Sequence, residues 1–213
     1  MDNAVNKSLF GVVIVIILLS GGGCRENAGR LHEKARKAFV AANQEEAIQL
    51  FNKVLDMDSN NLAAHFYLGW IYETQGRIDD GITEFGKAIE ISPNNEGSYL
   101  HLGDLYRAKG MLDESLEAFN KVIILNPDSA AGHYKLGIAY RQKGKSAEAA
   151  DALFEAGLLA VINNNKDLAL NAYKNLNETG NTQLAVELQG VLSPWFDPAN
   201  EVVTQPQHSQ SQQ

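Results

Sequence analysis

Cysteine is almost absent: Cys24 is the only one among 213 residues, so no intrachain disulfide can form and stability must come from packing. Proline is scarce too, with only Pro93 and Pro127 between Cys24 and Leu192, and alternation of strand type is missing there. Those two absences point to a mostly helical body. Charge never collects in runs. The 26 carboxylates and 18 Lys and Arg are interspersed along the chain, which reads as a solvated helical surface with a net charge of −8. With no basic stripe to neutralise phosphates, the composition argues against nucleic acid as a partner. Long apolar runs are missing except at the start, where Leu9 to Leu19 forms an eleven-residue core. That is short of the roughly 20 residues of an ordinary membrane-spanning helix, and it suits the hydrophobic part of a secretory signal.

That run ends in Gly21-Gly22-Gly23 and is followed at once by Cys24. The arrangement resembles the signal of bacterial lipoproteins, in which a short apolar stretch and small residues precede a cysteine. The resemblance implies cleavage of residues 1–23, lipid on Cys24, and a short tether over 24–27. It departs from the family's pattern at Gly21, where a leucine is usual, and its basic head is thin, with Lys7 partly offset by Asp2. A cleaved soluble signal and an uncleaved anchor remain the alternatives. Arg25 behind the cysteine, rather than Asp, resembles lipoproteins sorted to the outer membrane of Gram-negative cells. The expected location is therefore a bacterial envelope membrane, with an inner-membrane anchor and extracytoplasmic body as the alternative. At the other end, 193–213 is polar and Gln-rich and is expected to stay unordered, apart from Trp195 and Phe196, which could cap the last helix or dock a partner.

The body repeats itself. Leu68-Gly69 with Tyr72, Leu102-Gly103 with Tyr106, and Leu136-Gly137 with Tyr140 recur every 34 residues. On the same period come Gly76, Gly110 and Gly144; then Phe85, Phe119 and Leu153; then Pro93 and Pro127. A weaker copy uses Ala35, Ala38, Ala42, Ala47 and Phe51. Each unit reads as two helices of about 14 residues, separated by a glycine that tolerates a left-handed backbone and closed by a proline or by Asp58-Ser59-Asn60-Asn61. Gly69, Gly103 and Gly137 fall within helices, where glycine costs about 1 kcal/mol against alanine. Close crossing by a neighbouring helix accounts for them.

These residues resemble the tetratricopeptide-repeat (TPR) family over Ala28 to Val161. The resemblance implies an all-α fold, a right-handed superhelical solenoid of helical hairpins whose cores form only by stacking. Four repeats are expected at 28–61, 62–95, 96–129 and 130–163, with a degenerate capping hairpin over 164–192.

In that family a partner lies in the concave groove lined by the first helix of each unit. Carried over position by position, the groove residues are Phe66, Trp70 and Glu73, then Leu100, Asp104 and Arg107, then Tyr134, Ile138 and Arg141, with His32, Arg36 and Phe39 from the first unit. Pairs such as Phe66 with Trp70, one turn apart, would make apolar ledges for a peptide or protein segment. Neighbouring repeats, the Trp195-Phe196 tail or a second copy of the chain could cover the same ledges. The carboxylate clamp of chaperone-binding members has no counterpart at His32 and Arg36, Phe66 and Trp70, Leu100 and Asp104, or Tyr134 and Ile138.

Nothing in the pattern calls for catalysis, a cofactor, a metal or a small-molecule substrate. His65 and His133 occupy the fourth, packing position of their repeats; His32 and His101 stand alone. Asp79-Asp80 and Asp113-Glu114 open second helices, where they suit the helix dipole. The expected function is a non-enzymatic interaction scaffold, tethered in a bacterial envelope and assisting assembly of an envelope complex. A structural homo-oligomer, or an accessory to a wall-remodelling enzyme, is the alternative.

Overall fold

The structure, a computed structural model, describes residues 28–195. The expected signal at 1–23, Cys24 and its tether, and the tail beyond Trp195 lie outside the described residues. The chain divides into two compact units, one ending at Met111 and the other beginning at Leu112. The first holds α1 (28–40), α2 (Gln44–Met57), α3 (Leu62–Thr74), α4 (Ile78–Ile91) and α5 (Glu96–Ala108). In the second are α6 (Leu112–Leu125), α7 (Ala130–Gln142), α8 (Ser146–Ile162), α9 (Lys166–Asn177), α10 (Thr182–Leu192) and a 3-10 turn, Ser193–Trp195. The described residues contain no strand. The fold is all-α, built from helical hairpins.

Local sequence sets the helix ends. Asn61 and Asn95, one repeat apart, cap α3 and α5 by accepting the backbone N–H of Ala64 at 3.0 Å and of Ser98 at 2.8 Å. Ser129 does the same for α7 through Gly132, and Asn165 and Asn181 serve α9 and α10. Such caps satisfy donors that a helix start leaves open and contribute about 1 kcal/mol each. At the far end of the first helices, Gly76, Gly110 and Gly144 sit at φ of 70°, 80° and 78°. The next residue's N–H reaches back five residues, as from Arg77 to the Tyr72 carbonyl at 2.8 Å. The turn after α1 has the same form with an alanine in the glycine's place: Ala42 lies at φ 57°, and Asn43 N–H bonds the Ala38 carbonyl.

Packing follows the repeat. In the first unit Ala35, Ala38, Leu50, Phe51, Val54, Leu68 and Ile71 bury one cluster, and Phe85, Leu102 and Leu105 another. Each of these larger side chains contributes about 1.5–3 kcal/mol on burial. The mid-helix glycines make room for them. A Cβ on Gly69 would stand 3.0 Å from the Phe85 ring, and one on Gly137 would stand 2.6 Å from Leu153 Cγ. In the second unit Leu153, Leu159, Leu176, Leu188 and Leu192 pack together, joining α8 to the closing hairpin of α9 and α10. Trp195 packs against that cluster. Residues 193–195, expected to belong to an unordered tail, instead form a turn in which the indole is partly buried.

Candidate functional site

In the first unit the face carried by α1, α3 and α5 gathers aromatic rings around Trp70. Phe39 of α1 lies 5.0 Å from the Trp70 ring and tilted by 54°. Tyr67, one turn earlier on α3, is nearly parallel to it at 6.5 Å, and Phe66 stands across it at 6.3 Å and 74°. From α5, His101 approaches to 5.7 Å. The repeat register explains why these meet. The ninth position of one first helix faces the twelfth of the preceding one and the sixth of the next, so 70, 39 and 101 converge. Trp70 remains 37% exposed in spite of its neighbours, whereas Phe85 beneath is fully buried. His101 stacks flat on Phe85 at 5.0 Å and 3°, and Phe66 packs edge-on to the same ring. Phe66 thus belongs partly to the packing of α3 on α5, which leaves Trp70 as the presented ring.

Two carboxylates border the cluster. Glu73, one turn beyond Trp70, bonds His101 Nδ1 at 2.7 Å and is a quarter exposed. Asp104 is contacted by Arg107 of its own helix at 3.4 Å. Leu100 lies half-buried on α5. Arg36 of α1 is bound by Glu33 at 3.0 Å. That hydrogen bond, more than the charge itself, holds the Glu33 carboxyl below its ordinary range and lifts the Arg36 guanidinium above its own.

The remaining expected groove residues sit in the second unit, in different surroundings. Tyr134 and Ile138 are half-buried and pack against the cluster formed with the closing hairpin. The Tyr134 hydroxyl accepts from Asn175 of α9 at 3.2 Å, and Arg141 pairs with Glu178 just beyond α9. Here the closing hairpin itself covers the ledge.

A second polar cluster in the first unit supports packing instead of chemistry. His65 is 5% exposed; its Nε2 donates to the Ser59 carbonyl at 3.1 Å and its Nδ1 meets Glu84 Oε2 at 2.6 Å. Glu84 also binds Lys87 at 2.8 Å. His133, two repeats on, makes the matching bond to the Pro127 carbonyl at 3.0 Å. Both ring nitrogens of His65 are thus held by oxygen partners within the packing, and the residue lines an open cavity of about 360 Å³. No group of three or more metal-ligating side chains occurs among the described residues, and no described helix is long and apolar enough to cross a membrane.

The repeat positions place Phe39, Phe66, Trp70 and Glu73 in the groove but not Tyr67, nor His101, which in sequence stands alone. The available signal was the sixth repeat position, where 67 and 101 lie 34 residues apart with rings in both places.

Comparison with known proteins places this geometry. A family profile described as "Tetratricopeptide repeat" matches residues 29–96, and one described as "TPR repeat" matches 103–144. Among solved structures, that of the MamA protein superposes with a TM-score of 0.64 at 22% identity, covering 85% of this chain and 99% of that one. YrrB, titled "a TPR protein with an unusual peptide-binding site", gives 0.53 at 19% identity over 75% of this chain and 90% of its own. At these identities the likeness concerns the fold. A 51-residue stretch is 43% identical to the transcription factor tau 131 kDa subunit of Saccharomyces cerevisiae (strain ATCC 204508 / S288c). That match takes in 24% of this chain and only 5% of the yeast protein.

Proposed function

The chain belongs to the tetratricopeptide-repeat family, whose repeats typically build protein-interaction scaffolds, and from that premise we propose that it is a non-enzymatic scaffold whose working surface is the Trp70 face. The observation that carries this reading is an indole left more than a third exposed although four rings fix its position. A tryptophan held rigidly at a surface loses little side-chain entropy on binding and offers a large contact area, which is why the residue is enriched where binding energy concentrates. Leu100, Asp104 and Arg107 extend the face along α5. A protein or peptide segment is the partner; a small-molecule substrate and a cofactor form no part of the proposal.

The scaffold is tethered in a bacterial envelope through lipid on Cys24. The residues 25–27 would span at most about 10 Å, holding the repeats close to the bilayer, where they assist assembly of an envelope complex. Affinity capture from envelope membranes, with Trp70→Ala as control, tests the surface: a protein retained by the parent and lost with the variant, at unchanged helicity, supports it. Equal capture by both removes it. Mass spectrometry of the mature N-terminus tests the tether separately, and an unmodified Cys24 would end that part of the proposal.

A further inference from the structure

Around Trp70 the charges do not balance. Glu73 keeps a quarter-exposed carboxylate hydrogen-bonded to His101 Nδ1, and no lysine or arginine pairs with it among the described residues. The cations nearby are committed elsewhere: Arg36 to Glu33 at 3.0 Å and Arg107 to Asp104 at 3.4 Å. Lys109, just past the end of α5, holds Asp79 at 2.6 Å. An exposed indole flanked by a carboxylate that no lysine or arginine holds is chemically suited to one kind of side chain. The negative face of an indole attracts a cation, more strongly for tryptophan than for other rings. A carboxylate one helical turn away can then take the donors of that cation.

We propose that the Trp70 face receives an arginine side chain of the docking segment, its guanidinium stacked over the indole and hydrogen-bonded to Glu73. Arginine suits the site better than lysine, because the planar guanidinium stacks and donates in a fork at the same time, while an ammonium is a strongly hydrated point charge. Phe39, Phe66 and Tyr67 hold the indole in place from α1 and α3. His101 stacks on Phe85 and fixes the Glu73 carboxylate. The ligand class is therefore a basic peptide segment, in keeping with the chain's net charge of −8. This inference rests on the docking role proposed above for the same face.

The test is selection of a displayed random dodecapeptide library on the immobilised protein, counter-selected against Trp70→Ala. One enriched peptide is then synthesised with arginine and with citrulline, its uncharged isostere. Binding is read from fluorescence in a Trp195→Phe background, where Trp70 is the single tryptophan. The expected result is Trp70-dependent peptides sharing an arginine, with the citrulline form weaker by about tenfold or more. Glu73→Gln should abolish that discrimination, since it retains a hydrogen-bond acceptor for His101 while removing the charge. Trp70-dependent peptides anchored by aliphatic or aromatic residues, indifferent to citrulline, would overturn the arginine assignment and leave the docking role standing. A library yielding no Trp70-dependent peptide, with circular dichroism of Trp70→Ala unchanged, would overturn both.

Discussion

Ala42 is in the wrong conformation for an alanine. It closes α1 at φ 57°, while the residues one, two and three repeats later, Gly76, Gly110 and Gly144, lie at φ 70° to 80°. An L-residue with a Cβ pays about 1–2 kcal/mol in that region, and glycine does not. Exchanging alanine for glycine also loosens the unfolded chain, which costs about 0.4–1 kcal/mol. Ala42→Gly should therefore stabilise the first unit by about 0.5–1 kcal/mol, against the usual sign of that exchange on a surface. Gly76→Ala is the mirror experiment. A Cβ there meets nothing within 4 Å, so crowding adds nothing and the loss of about 0.5–1 kcal/mol comes from the backbone alone. Urea unfolding followed by far-ultraviolet circular dichroism, with a slope of about 1–3 kcal/mol per molar, should move the midpoint up by about 0.2–1 M for the first variant and down for the second. If Ala42→Gly destabilises the protein, the left-handed turn is not what ends α1 and the reasoning fails.

Further outcomes follow from contacts elsewhere. Gly137→Ala would place a methyl 2.6 Å from Leu153 Cγ and 3.2 Å from the Ala149 carbonyl, so about 1–3 kcal/mol of overpacking should outweigh the roughly 1 kcal/mol of helix propensity gained. Gly86→Ala, mid-helix in α4 with open space around it, should stabilise by about 0.5–1 kcal/mol; equal signs at the two positions in urea titrations would count against close crossing as the reason for Gly137. The Ser98 hydroxyl is buried without a hydrogen-bond partner, so Ser98→Ala should raise stability by about 1 kcal/mol; a lowered melting temperature would show a bond that the geometry does not contain. Because the bond from Arg36 depresses the Glu33 carboxyl, the stabilisation it gives is present above the ordinary carboxylate range and is lost as pH falls through the depressed value. Arg36→Ala should shift the Glu33 titration upward in a carboxyl-carbon NMR titration, and an unmoved midpoint would contradict the pairing.

Most of the fold was legible because its determinants recur. Gly76, Gly110 and Gly144 mark one turn three times, and Leu68, Leu102 and Leu136 mark one packing position, so each copy supports the others. Ala42 was read as part of a weak repeat but not as a left-handed residue, since alanine carries no local signal of that conformation. The Trp70 face was half legible. Phe39, Phe66 and Glu73 follow from repeat position, whereas Tyr67 and His101 join it through ring packing, which depends on how close α3 and α5 lie. Tyr134 and Ile138 occupy the positions that Phe66 and Trp70 hold two repeats earlier, yet α9 lies over them. A degenerate hairpin leaves too faint a pattern to show which surface it will cover.

The measurement that bears most directly on the scaffold claim is photocrosslinking in the native envelope, with benzoylphenylalanine introduced in place of Trp70 or, as control, of Val186, an exposed residue of α10. The account predicts a discrete adduct with one protein from the Trp70 site and none from the Val186 site. Adducts from Val186 with none from Trp70 would move the working surface away from the aromatic face and contradict the account.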